Sequence, residues 1–142
     1  HLIIANASKP NGIAISPDNK TLYIANYHWG HSNILKTGAI LKYTLLPDGN
    51  VQFKGVLIDL MNNGPDGIKV DVEGNIYIAV KGNIVVYSPK GEQLEEIEVP
   101  NRSATNLCFG RGSFSKTLFI TTHKKLYTLE VKKEGFHIPF KK

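Results

Sequence analysis

The run Pro65-Asp66-Gly67-Ile68-Lys69-Val70-Asp71, reversed at Glu73-Gly74-Asn75 into Ile76-Tyr77-Ile78-Ala79-Val80, decides the fold. A polar residue opens a short apolar strand, turn residues reverse it, and a β-branched and aromatic strand returns. The same pattern stands upstream as Pro10-Asn11-Gly12-Ile13-Ala14-Ile15-Ser16, Pro17-Asp18-Asn19-Lys20 and Thr21-Leu22-Tyr23-Ile24-Ala25. It recurs downstream as Ala104-Thr105-Asn106-Leu107-Cys108-Phe109, with a longer turn before Lys116-Thr117-Leu118-Phe119-Ile120-Thr121. Asn11, Asp66 and Asn106 read as equivalent positions, 55 and then 40 residues apart. That interval suits four strands per unit, the size of a propeller blade.

Further strands fall between these pairs. Ile40 to Leu45 and Val51 to Asp59 complete the first unit, and Asn83 to Tyr87 and Gln93 to Val99 the second. Lys125 to Val131 gives the third unit its third strand. Pro47-Asp48-Gly49-Asn50 and Pro89-Lys90-Gly91-Glu92 carry hairpin-turn chemistry. No segment holds a 3.6-residue apolar period, so almost no helix is expected. Leu2-Ile3-Ile4-Ala5 precedes the first inner strand and reads as the outer strand of a neighbouring blade. The fold class is therefore all-β: three four-stranded blades of a six-bladed β-propeller, in one segment over residues 1–142. The blades cover about 7–60, 61–100 and 101–142. Three blades make half a ring and leave edges and apolar faces to be covered by a missing half or by a second copy of the chain.

Composition narrows the function. With 42% hydrophobic and 20% charged residues the chain is an ordinary globular one. It has no run of 18 apolar residues, which excludes a transmembrane helix and a membrane partner of that kind. The net charge of +5 comes from scattered lysines, densest at Lys132, Lys133, Lys141 and Lys142. No aromatic-plus-basic signature accompanies them, so no nucleic-acid partner is expected. The single cysteine, Cys108, sits in an apolar strand and reads as a buried small hydrophobe. One cysteine rules out an internal disulfide framework and suits a reducing, cytoplasmic location, while still permitting periplasmic or secreted placement.

The Pro-Asn-Gly and Pro-Asp-Gly segments, Lys9 to Ala25 and Gly64 to Ala79, resemble the gluconolactonase, senescence-marker-protein and luciferin-regenerating-enzyme family of six-bladed propellers. Asn106-Leu-Cys-Phe-Gly110 and Lys116-Thr-Leu-Phe-Ile-Thr-Thr122 are similar to that family's last blade. The match covers the C-terminal half of a typical member. The resemblance implies a metal-dependent hydrolase of a lactone or related ester. Its divalent cation is most often calcium, with zinc, magnesium or manganese as alternatives. The resemblance makes Asn11 and Asp66 metal ligands and Asp66 a candidate catalytic base. A glutamate and other polar groups from the N-terminal half belong to the family site and are absent here.

The residue types suit that chemistry. A carboxamide and a carboxylate are hard oxygen donors for calcium or magnesium, and Gly12 and Gly67 let the backbone approach closely. Asn or Asp before Gly is also plain turn chemistry, and both readings stand on the residues alone. Asn106 is a candidate substrate-binding residue, although a turn role fits it as well. The insertion Asn26-Tyr27-His28-Trp29-Gly30-His31-Ser32-Asn33 lies on the face of Asn11, where Trp29, His28 and His31 are candidates for substrate contact or for a loop anchored by its aromatic residue. His123 is a weaker candidate of the same kind. Ser103, Ser113 and Ser115 lack a nucleophile-elbow context. A non-catalytic interaction scaffold and a homodimer closing the six-bladed ring are the competing expectations.

Overall fold

The computed structural model describes residues 2–4, 7–28 and 37–138. Three antiparallel meanders follow one another along the chain. The first contains β1 (Pro10–Ile15), β2 (Thr21–His28), β3 (Thr37–Leu45) and β4 (Val51–Met61), paired in chain order. The second contains β5 (Ile68–Val70), β6 (Ile76–Val80), β7 (Asn83–Tyr87) and β8 (Gln93–Ile97), again in chain order. The third has β9 (Ala104–Phe109), β10 (Thr117–Thr122) and β11 (Leu126–Glu130). Among the described residues, helix is confined to two single turns of 3-10 type, Pro100–Arg102 and Gly112–Phe114.

Side-chain hydrogen bonds build the turns. The Ser16 hydroxyl accepts the N–H of Thr21 at 2.9 Å, and Asp18 accepts both that hydroxyl and the N–H of Lys20. In the second sheet Asp71 has no exposed surface. Its Oδ1 accepts the N–H groups of Glu73 and Asn75 at 2.9 Å, and its Oδ2 the side-chain amide of Asn75 at 2.8 Å.

The sheets stack face to face. Tyr23, Ile40 and Ile58 of the first meet Ile68, Ile78 and Val85 of the second. Tyr77, Ala79 and Ile84, on the opposite face of that second sheet, meet Leu107, Leu118 and Ile120 of the third. Burial on both faces explains why β6 and β7 read as unbroken apolar runs rather than alternating ones. The far face of the first sheet, with Leu22, Ile24, Leu41 and Tyr43, is overlaid by Ile4 and Ala7.

Two expectations need correction. Residues 2–4 are not in a strand, and residue 5 lies outside the described residues. Instead the segment lies over the far face of the first sheet, where Ile4 packs against the cluster of Leu22, Ile24, Leu41 and Tyr43. Cys108 is exposed. Strand parity turns its neighbours Leu107 and Phe109 into the core and Cys108 to the opposite face.

After β11 the chain crosses back over the inner edge of β5. Val72 donates its N–H to Glu134 at 2.9 Å and Phe136 donates to Val70 at 3.0 Å, flanking an antiparallel bridge between Asp71 and Gly135. This segment lies at the end of β5 away from Asp66.

Candidate functional site

A bulge opens the inner strand of each sheet. Pro10 pairs with Asn26 and Ile13 with Ile24, so Asn11 and Gly12 together face the single residue Ala25. In the second sheet Ala79 accepts the N–H of Asp66 at 2.8 Å and donates to the carbonyl of Gly67 at 2.9 Å, again one residue against two. In the third, Thr121 pairs with Asn106 and Thr122 with Ala104, leaving Thr105 as the extra residue. Bulges re-aim side chains at the rim of a sheet. Here they bring Asn11 and Asp66 toward one another, while the Thr105 hydroxyl turns to Thr121 of its own sheet.

The three starts touch. Gly67 donates its N–H to the carbonyl of Thr105 at 3.0 Å. A Cβ on Gly12 would stand 2.3 Å from the carbonyl oxygen of Asp66, so only glycine admits this approach of β1 to β5. Across that junction Asn11 Nδ2 donates to Asp66 Oδ1 at 2.8 Å. Asn11 is exposed and Asp66 half-buried. Both line an open cleft of about 270 Å³ with Lys9, Tyr27 and Gly64. A larger cleft of about 350 Å³ lies at the outer strands, between Leu94 of β8 and Leu129 of β11, remote from these groups.

The donor set decides what could bind. Asp66 and Asn11 offer a carboxylate oxygen and, after a turn of the amide, a carbonyl oxygen; this pair suits calcium or magnesium better than zinc. Calcium takes about six to eight oxygens. Among the described residues no cluster of three or more His, Cys, Asp or Glu side chains forms. This chain therefore fits as the supplier of two donors within a larger set.

The remaining sequence candidates fall as follows. Asn106 is exposed, its Oδ1 accepts the N–H of Leu107 at 2.8 Å, and it abuts Gly67. With Leu107 paired to Ile120 as Ile68 is to Ile78 and Ile13 to Ile24, the residue equivalent to Asn11 and Asp66 is Thr105. Asn106 occupies the position of Gly12 and Gly67. The Thr105 hydroxyl reaches both the carbonyl and the hydroxyl of Thr121, at 3.2 and 3.1 Å. Trp29 and His31 lie outside the described residues. His28 ends β2 opposite Thr37, with its side chain outside the description. His123 is exposed beyond β10. Lys9, Tyr27 and Thr105 were not singled out by sequence reading. The polar strand start of the third repeat was the available signal for Thr105.

Consecutive antiparallel meanders of four, four and three strands stacked by their faces, with Asn11 and Asp66 at two strand starts lining one cleft, define an all-β protein assembled in the manner of propeller blades. Residues 1–124 match the family described as SMP-30/Gluconolactonase/LRE-like region, and the chain belongs to that family. A gluconolactonase of Zymomonas mobilis is 32% identical over 139 residues, covering 94% of this chain and 38% of the relative. A 6-deoxy-6-sulfogluconolactonase of Pseudomonas putida is 29% identical over 120 residues, covering 81% and 38%. The solved gluconolactonase of Xanthomonas campestris superposes with a TM-score of 0.74 at 28% identity, over 89% of this chain and 39% of that one. A calcium-binding regucalcin of Agrobacterium tumefaciens gives 0.72 at 25% identity, over 96% and 50%. The chain thus spans half or less of the length of these relatives.

Proposed function

We propose that this chain carries part of the site of a metal-dependent lactone hydrolase, with Asn11 and Asp66 as ligands of one divalent cation, calcium foremost. The observation that carries the reading is the 2.8 Å approach of Asn11 Nδ2 to Asp66 Oδ1 across two sheets. Two polar groups from strands 55 residues apart meet at the mouth of a cleft, where a turn role would have needed neither to find the other. The relatives named gluconolactonase and the calcium-binding regucalcin support the same chemistry.

Asn11 and Asp66 would hold the cation, which would supply Lewis-acid polarisation of a lactone carbonyl and a more acidic water. Asp66 lines the cleft, and its second carboxylate oxygen would take the proton of an attacking water. Asn11, with its amide turned, would give the same ion its carbonyl oxygen. Gly12 and Gly67 keep the strand starts close enough for both side chains to serve one site.

The other donors come from further blades that complete a six-bladed ring, either an N-terminal half or a second copy of the chain. Among the described residues the third sheet has three strands where the first two have four, and a strand from that completing part would pair along the outer edge of β11. The test is proton release from a sugar δ-lactone by the longest polypeptide its reading frame encodes, with calcium, zinc, magnesium or manganese added. Metal-dependent hydrolysis abolished in Asp66→Asn supports the proposal. Equal rates in the two proteins overturn it.

A further inference from the structure

We propose that Tyr27 is the wall of the Asp66 cleft that recognises the ring of the substrate, selecting a cyclic polyhydroxylated lactone over an open-chain ester. This inference rests on the lactone-hydrolase reading of the same cleft.

Tyr27 is held on three sides. Its N–H donates to the carbonyl of Lys9 at 3.2 Å, and in β2 it pairs with Gly38 of β3. Its ring lies against Gly64, where a Cβ would stand 3.2, 3.3 and 3.4 Å from Cδ2, Cγ and Cε2. The near equality of three adjacent ring atoms puts Gly64 over the face of the ring, since an edge approach would spread those distances widely. The loop that carries Gly64 continues directly through Pro65 to Asp66. The aromatic wall and the carboxylate are thus spaced by two residues of a loop that the ring itself packs upon.

The half-buried ring lines the cleft with Lys9, Asn11 and Asp66. At about 270 Å³ the cleft is smaller than pockets for drug-sized ligands, about 300–1,000 Å³, and suits one small ring. An aromatic side chain with a hydroxyl at its tip offers an apolar surface to ring C–H groups and a polar end to ring hydroxyls. The amide, carboxylate and ammonium groups beside it complement a polyol. An acyclic ester presents no such face to the wall.

The test uses the longest polypeptide the reading frame encodes, with saturating calcium, and a hydrolysis-resistant sugar lactam and an open-chain hexitol as probes, followed by amide NMR shifts. The wild type is expected to shift at Asp66 and to prefer the lactam. Tyr27→Phe keeps that preference within about twofold, while Tyr27→Leu loses about tenfold in lactam affinity and leaves the hexitol unchanged. A purely structural role would weaken both probes equally, so an unchanged preference in Tyr27→Leu, with Asp66 still shifting, overturns this inference alone. Should neither probe shift Asp66 in the wild type, the hydrolase reading falls and this inference with it.

Discussion

Asn11 and Asp66, 55 residues apart, belong to different sheets, and the amide nitrogen of one stands 2.8 Å from a carboxylate oxygen of the other. A carboxylate only accepts, so it draws the N–H side of the amide toward itself. A cation between the two reverses that preference, because it demands oxygen from both.

This reversal gives the first prediction. Asn11→Asp places two carboxylates within contact distance in a partly solvated cleft, costing about 1 kcal/mol of stability in chelator. Calcium, paired with both groups, should restore that loss. Urea unfolding with and without calcium checks it, and a deficit that calcium leaves untouched counts against a shared cation.

Asp71 marks a second, purely structural centre. Its carboxylate is fully buried and satisfies two backbone N–H groups and the Asn75 amide. Burial raises the Tyr77 phenol well above its usual value, and the neighbouring Asp71 charge adds to the shift. Asp71→Ala leaves those donors without their partner and should destabilise by about 2–4 kcal/mol. Thermal unfolding reads the change, and Asp71→Asn, which keeps one acceptor, should lose less.

Much of this was legible in the sequence, and the failures have local causes. The turn residues and apolar runs located most of the strands because turn chemistry and burial are short-range signals. Asn11 and Asp66 were readable because a glycine follows each. Thr105 was not, because Asn106 fills the glycine position of the third bulge and mimics the polar residue one place earlier. Only the long-range pairing of Leu107 with Ile120 fixes that register. Cys108 was misread because a one-residue step along a strand exchanges its faces. Tyr27 joins the cleft through packing of the β4–β5 loop, which no local pattern announces.

The first turn gives a pH test. The Ser16 hydroxyl hydrogen bond, then the Lys20 backbone N–H, hold the Asp18 carboxyl below its ordinary value. A group whose folded value is depressed adds stability above its unfolded value, and that stability is lost as pH falls through the folded one. Ser16→Ala should therefore shift the Asp18 titration upward and move the loss of this contribution to higher pH. Carboxyl NMR titration of both proteins checks it, and identical Asp18 curves contradict it.

The most direct measurement is manganese-induced line broadening in the 1H–15N spectrum of the longest polypeptide the reading frame encodes, with calcium as competitor. If the carboxamide and carboxylate share one cation, the Asn11 side-chain NH2 signals and the amides of Asp66 and Gly67 fade first. They return on adding calcium and persist unbroadened in Asp66→Asn. Broadening that spares these signals while others fade, or that is the same in Asp66→Asn, would contradict the shared site.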